Sequence, residues 1–336
     1  PNPASLVHHG KCEDFNFGSF TGTCTETKGK FNSTTWTFGT SFQITPRQLV
    51  YAKYSKGYRP GGVNATFPAG FENLRDFAPE NNFSLEAGLK SDFQFGSVPV
   101  RTNLAVYKDR YKGIQSSIQI RDTNGNPGSI VTNVAGAKIW GVEFEGSIRP
   151  FEGFTIGGNY SYTHARYNKG GLDLAEIDIG PTDPAVSLID GASATYLACN
   201  GNAVVNLGFC TFNRFPLTPA HQAGVNVQWD FIRDQEGVGT MGIGGNWYYQ
   251  SSIASSTGKN FLTPHPTQPS YSLFNLNANW NNMLGSNLDL MLFVTNVTNK
   301  VYTVTFNNGL ELSGIGNLTR VYAPPRMFGG TLTAHF

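Results

Sequence analysis

The sequence predicts an all-β chain of membrane-length antiparallel strands, a portion of a transmembrane β-barrel. Three observations carry this expectation. Apolar and polar residues alternate with period two over long segments, charges keep to one of the two resulting faces, and connections alternate between short and long. No apolar run reaches the ~18 residues of a spanning helix, and mean hydropathy is only −0.25.

Composition points the same way. Charged residues make up 14% of the chain, against about 25% in soluble globular domains. Aromatics reach 13% and there are 39 glycines, as many turns and strand bends require. A net charge of +1 gives no reason to expect nucleic acid as a partner. The chain begins at Pro1 without a Met or signal peptide, which reads as a processed product or a fragment.

Taken in order, segments 34–45 and 48–58 open the pattern, with Trp36, Phe38, Phe42 and Ile44 on one face. Segments 81–93 and 98–112 follow. In 129–149 the apolar set is Trp140, Val142, Phe144 and Ile148. In 154–167 Phe154, Ile156, Gly158, Tyr160 and Tyr162 oppose Thr155, Gly157, Asn159, Ser161 and Thr163. Segment 218–231 carries Ala223, Val225, Val227, Trp229 and Phe231; 238–251 carries Met241, Ile243, Trp247 and Tyr249. Segment 271–283 carries Phe274, Leu276, Ala278 and Trp280, and 287–297 carries Leu288, Leu290, Leu292 and Val294. The last, 326–336, has Phe328, Leu332, Ala334 and Phe336. These are about eleven strands of roughly ten residues or more, the length a tilted strand needs to cross a bilayer. Soluble sandwiches alternate too, but with strands of about 5–6 residues.

Charge placement decides the environment. Glu86, Lys90, Arg101, Asp109, Glu143, Glu145, Asp230 and Asp289 fall on the polar face. Lys56 and Lys108, near strand ends, are the exceptions on the apolar face. An outward Lys or Arg at the bilayer midplane costs about 2–4 kcal/mol, whereas a wet lumen tolerates it. No strong cationic cluster stands out along the chain.

Short connections lie near 45–47, 94–96, 150–153, 234–237 and 284–286; long ones near 59–80, 113–128, 168–217, 252–270 and 298–325. Short periplasmic turns and long outer loops are the bacterial outer-membrane pattern, which puts Phe336 at the periplasmic side. An odd number of strands cannot close a bacterial barrel, and open edges in lipid would leave backbone groups unpaired. Partner strands are therefore expected upstream or in a second chain.

Four cysteines, Cys12, Cys24, Cys199 and Cys210, sit in segments assigned to the outer, oxidising side. Disulfides Cys12–Cys24 and Cys199–Cys210 are expected. A metal site involving His8 and His9 is the rival reading, weakened by the lack of a C-x-x-C pair.

At this point five motifs resemble one family, the TonB-dependent outer-membrane receptors. The run from Leu49 through Gly57-Tyr58-Arg59-Pro60-Gly61-Gly62 is similar to the family's strand that ends in a GFRPGG loop. Ser84 to Lys90 resembles its YELGLK strand, and Ile139 to Glu145 its IYGVELE strand. Phe293 to Tyr302 resembles the VNLFDKxY segment, and Pro325 to Phe336 the terminal strand, whose final aromatic is an assembly signal. The motifs cover about 48–336 in family order. The resemblance implies a barrel of about 22 strands around an amino-terminal plug, of which about eleven are here. It makes 1–33 an extracellular loop segment and 34–336 the carboxy-terminal barrel portion, with plug and first strands absent. It implies a small-molecule ligand bound from outside, energy from the TonB complex, and outer-membrane lipid as surroundings. A ferric siderophore is the commonest substrate; cobalamin, oligosaccharide or another iron complex stay open, as does a passive porin or structural barrel.

Candidate ligand contacts are Arg59 at the rim, and His164, Arg166, Tyr248 and Gln250, assigned to the upper lumen. There a few polar groups among aromatics could converge on a ligand. Arg59-Pro60-Gly61-Gly62 also reads as a simple turn with glycines at positive φ. Tyr58, Tyr162, Tyr167, Trp247 and Tyr249 read as an interfacial girdle. Glu143 and Glu145 share a face but lack the partners of a catalytic set, so no enzyme and no cofactor are expected.

Overall fold

Period-two alternation commits the chain to strands whose two faces meet different surroundings, and the computed structural model has that arrangement. It describes residues 6–11, 25–64, 75–121, 127–168, 215, 217–254, 267–308 and 318–336. The strands are β1 (Leu6–Lys11), β2 (Thr25–Lys30), β3 (Trp36–Thr45), β4 (Gln48–Arg59), β5 (Gly62–Val63), β6 (Asp76–Phe77) and β7 (Glu80–Phe95). They continue as β8 (Val98–Arg121), β9 (Pro127–Ile148), β10 (Phe154–Tyr167), β11 (His221–Gln235), β12 (Gly239–Gln250) and β13 (Ile253–Ala254). The rest are β14 (Thr267–Gln268), β15 (Tyr271–Asn281), β16 (Leu288–Thr295), β17 (Thr303–Asn308), β18 (Leu318–Tyr322) and β19 (Met327–Ala334).

Eleven strands form one sheet in the order β19-β16-β15-β12-β11-β10-β9-β8-β7-β4-β3. Every neighbouring pair is antiparallel and consecutive among the wall strands, an up-and-down meander. These are the eleven segments expected from the sequence. Among the described residues the remaining strands form four two-stranded ribbons, β1–β2 ahead of the wall and the other three in long connections. Among the described residues no helix is long and apolar enough to cross a membrane. Among the described residues β3 and β19 each have one partner in the sheet, which leaves its two edges open.

Two adjacent register rows show the two faces. One runs Phe42, Val50, Leu89, Leu104, Phe144, Tyr160, Ala223, Tyr249. The next runs Ser41, Tyr51, Gly88, Ala105, Glu143, Ser161, Gln222, Gln250, Tyr271. The apolar row is not a core: Phe42 is 68% exposed, and only Val63, Ala137 and Ala254 are buried apolar residues among those described. So much continuous exposed apolar surface suits lipid rather than water.

The structure departs from the expected loop at 113–128, where β8 and β9 continue as a hairpin to Arg121 and Pro127. β-Branched Ile114, Val131 and Thr132 favour the extended backbone there. A bulge between Tyr111 and Ile114 accommodates Gly113 at φ +63°, which bends the hairpin beyond the wall.

Candidate functional site

The inner face is polar and extensively hydrogen-bonded. Lys53 Nζ lies 2.8 Å from Glu86, which also accepts from Tyr51 Oη at 2.9 Å. Tyr107 and Thr163 hydroxyls are 3.0 Å apart, and Asn275 donates to Asn246 at 2.7 Å. Two of the tyrosines fold over glycines of the neighbouring strand. A Cβ on Gly88 would stand 2.6 Å from the Tyr51 ring, and one on Gly141 would stand 2.6 Å from Tyr107 Oη. Glycine at these positions provides room for an aromatic ring on an otherwise pleated wall.

Towards the long-connection end of β11, β12 and β15 the inner face gathers a denser group. Tyr248 Oη donates to Gln250 Oε1 at 2.9 Å and accepts from Gln222 Nε2 at 3.0 Å. Tyr271 Oη reaches the same Gln250 oxygen at 3.4 Å. The Tyr271 ring stacks on Tyr302 with centroids 4.5 Å apart and lies 6.2 Å from Tyr248. Tyr248 and Gln250 therefore stand on the inner wall, as the sequence placed them. Gln222, Tyr271 and Tyr302 join them. The sequence offered the parity of Gln222 and Tyr271 as a signal, but Tyr302 lies beyond its strand and gave none.

His164 and Arg166 are placed differently. Their row is set by Tyr162 opposite Val142, Trp140 opposite His164, and Lys138 opposite Arg166. Both share the parity of Tyr160 and Tyr162 and so lie on the apolar face. His164 sits 5.3 Å from the Trp140 ring, centroid to centroid. The inner position expected for them is corrected by this register.

Arg59 ends β4 on the inner face, exposed, opposite Glu80. The corner after it is strapped to the β8–β9 hairpin. Gln115 Nε2 donates to Pro60 O at 2.8 Å and to Ala78 O at 3.1 Å, while Gln115 N donates to Glu80 at 2.9 Å. Asn64 exchanges two bonds with Val131, at 2.8 and 2.9 Å. Gly61 and Gly62 are not at positive φ. They are required because a Cβ would strike Phe77 from either position. The corner is a packed turn, with space rather than backbone angle as the reason for glycine.

Of the expected girdle, Tyr58, Tyr162, Trp247 and Tyr249 have outward parity, with Trp247 and Tyr249 stacked at 6.3 Å. Tyr167 has inner parity and stacks on Phe215 at 4.2 Å. Glu143 and Glu145 both line the inner wall. Cys12, Cys24, Cys199 and Cys210 lie outside the described residues, as does most of the 168–217 connection. Among the described residues no group of His, Cys, Asp and Glu could hold a metal ion.

Near the short-turn end the inner face has a cavity of about 330 Å³ lined by Gln43, Arg47, Lys90, Asp92, Arg101 and Asn103, among others. Arg101 is paired there with Asp92 at 2.6 Å. In the short turn between β9 and β10, Glu152 accepts a hydrogen bond from Arg233 of β11, which holds its carboxyl below the usual range.

Comparison with known proteins matches residues 13–299 to a family model described as TonB dependent receptor-like, beta-barrel. Among solved structures, the ferric yersiniabactin uptake receptor FyuA of Yersinia pestis superposes with a TM-score of 0.65 at 15% identity, over 94% of this chain and 40% of FyuA. The ferric-catecholate import receptor Fiu of E. coli K12 gives 0.60 at 16% identity, over 98% of this chain and 40% of Fiu. The ferripyoverdine receptor of Pseudomonas aeruginosa gives 0.56 at 15%, over 92% and 34%. The chain thus spans 40% or less of each of these proteins.

Proposed function

Since this chain belongs to the TonB-dependent receptor β-barrel family, we propose that it forms the carboxy-terminal wall of a receptor that imports a ferric siderophore. The observation that carries this reading is the group Gln222, Tyr248, Gln250, Tyr271 and Tyr302, polar and aromatic together on the inner face at the long-connection end. Such a surface can stack against the flat rings of a chelate and hydrogen-bond its periphery. Tyr248 and Gln250 are the proposed ligand contacts, with Arg59, at the end of β4, a further one at the rim. The outward parity of His164 and Arg166 argues against that role for them.

On this reading residues 1–33 form an outer loop and 34–336 the barrel portion, lying in the outer membrane with long connections outside and Phe336 at the periplasmic side. Its ring, fully exposed beyond β19, is the assembly signal. Further strands complete the wall at the open edges of β3 and β19, a plug fills the interior, and the TonB complex supplies energy through that plug. Disulfides belong to the same proposal. The proposed pairs are Cys12–Cys24 and Cys199–Cys210, as the sequence suggests.

Uptake of radioactive iron as a siderophore complex by iron-starved cells tests the reading. Expected is uptake that needs both this protein and TonB and falls at least tenfold in a Tyr248→Ala, Tyr271→Ala variant. Ion conduction by the reconstituted protein, with no TonB-dependent uptake of any ferric chelate, would replace the receptor with a passive pore.

A further inference from the structure

The strand register gathers cations that are far apart in the sequence. On β8, β9 and β10, Arg110 lies opposite Lys138 and Lys138 opposite Arg166. All three are exposed and on the apolar face, so the cations there are more than the two, Lys56 and Lys108, expected from the sequence. Lys108 sits two residues before Arg110, beside Trp140, and Lys112 two residues after it. The row continues through Phe83 to Lys56, with Lys112 5.6 Å and Lys56 6.0 Å from the Phe83 ring centroid. The outward positions of β3, β4, β7, β8, β9 and β10 include no Asp or Glu. Among the described residues, none of Lys108, Arg110, Lys138 and Arg166 is in an ion pair.

Like charges directly opposite each other destabilise a sheet. Three in a line, flanked by two more and with no acid on the outward face of these strands among the described residues, are well placed to attract anions from outside the chain. Their height says which anions. Arg110 lies about 12 residues beyond the short turn before Val98, or about 30 Å of height for a strand tilted by 40°. The apolar band of such a wall is about 25 Å tall, so the row stands just above it, at headgroup level. Three adjacent strands spread it over about 10 Å, short enough to stay within that zone despite the tilt. Directly below are Trp140, Tyr162 and His164, and then Val106, Val142, Leu104 and Phe144, on which acyl chains could lie. Guanidinium forks flanking an ammonium suit phosphate oxygens.

We propose that Arg110, Lys138 and Arg166, with Lys108 and Lys112, form a binding site for the phosphate groups of a phosphorylated glycolipid in the surrounding leaflet. The lipid's chains cover the apolar wall beneath. The site is separate from the inner-wall ligand group and does not depend on which solute is carried.

The test uses the full-length protein purified in mild detergent and exchanged into phosphatidylcholine. Lipopolysaccharide is added as the probe, and retained phosphorylated lipid is measured by native mass spectrometry. The expected result is stable retention by the wild type, a loss of at least tenfold in R110Q/K138Q/R166Q, and retention by the charge-preserving R110K/K138R/R166K. K53Q on the inner face should retain lipid like the wild type. Folding of each variant is checked by its heat-dependent gel mobility. Equal retention by the folded glutamine variant would overturn the proposal. Complete displacement by millimolar inorganic phosphate would also overturn it, because the site would then be a free-anion site rather than a lipid site.

Discussion

Asn103 and Leu104 are neighbours on β8 that point to opposite sides, so one substitution at each tests the face assignment. Leu104 is flanked across the strands by Leu89 and Phe144, and the three are 42%, 37% and 42% exposed. It lies about 6 residues beyond Val98, some 16 Å of height in a band about 25 Å tall, near the middle of the bilayer. Leu104→Arg should therefore cost about 2–4 kcal/mol, a shift of about 30- to 700-fold in the folding equilibrium. Asn103 faces inward between Lys90 and Glu145 and donates to Glu145 at 3.4 Å. Asn103→Arg keeps a partner in Glu145 in a wet setting and should cost less than about 1 kcal/mol. Denaturant unfolding of the full-length protein in lipid vesicles measures both. Equal costs, or a larger cost at Asn103, would refute the assignment of faces.

Three further outcomes follow from local geometry. Gly141→Ala places a Cβ against Tyr107 Oη and Tyr162 O, so the ring must leave the β9 surface; a loss of about 1–3 kcal/mol is expected in the same unfolding assay. Gln115→Leu removes the donors held by Pro60 O and Ala78 O, about 1–3 kcal/mol of local stability. It should appear as faster hydrogen exchange around 59–64 without a matching drop in global stability. Glu152 has its pKa lowered by the Arg233 hydrogen bond. Its stabilising contribution is therefore complete above the ordinary Glu value of about 4.3 and lost as pH falls through the lower folded value. Wild type and Glu152→Gln should differ slightly at neutral pH and converge in acid; a difference that grows in acid would contradict the sign.

The wall was legible in the sequence because period two is local. Tyr160 and Tyr162 needed only their own neighbours to declare a face. The same parity assigns His164 and Arg166 to the outer face, and their polarity was a poorer guide than their spacing. The extension of β8 and β9 past Gly113 was hidden because a bulge interrupts the alternation there. What depends on register was not readable at all. Gly141 is needed because Tyr107 lies opposite it, and Arg110, Lys138 and Arg166 meet only because three strands align. The candidate ligand group is intermediate: Tyr248 and Gln250 followed from parity, while Tyr302 joins through its stack on Tyr271.

Binding of ferric siderophores to the purified full-length protein tests the central proposal most directly, using Tyr248→Ala and Tyr249→Ala as a matched pair. The two tyrosines are adjacent on β12, one inward and one outward. The account predicts that at least one ferric siderophore binds, that Tyr248→Ala weakens it tenfold or more, and that Tyr249→Ala leaves it unchanged. Equal effects at the two positions, or no binding across a panel of hydroxamate, catecholate and mixed-ligand ferric chelates, would contradict it.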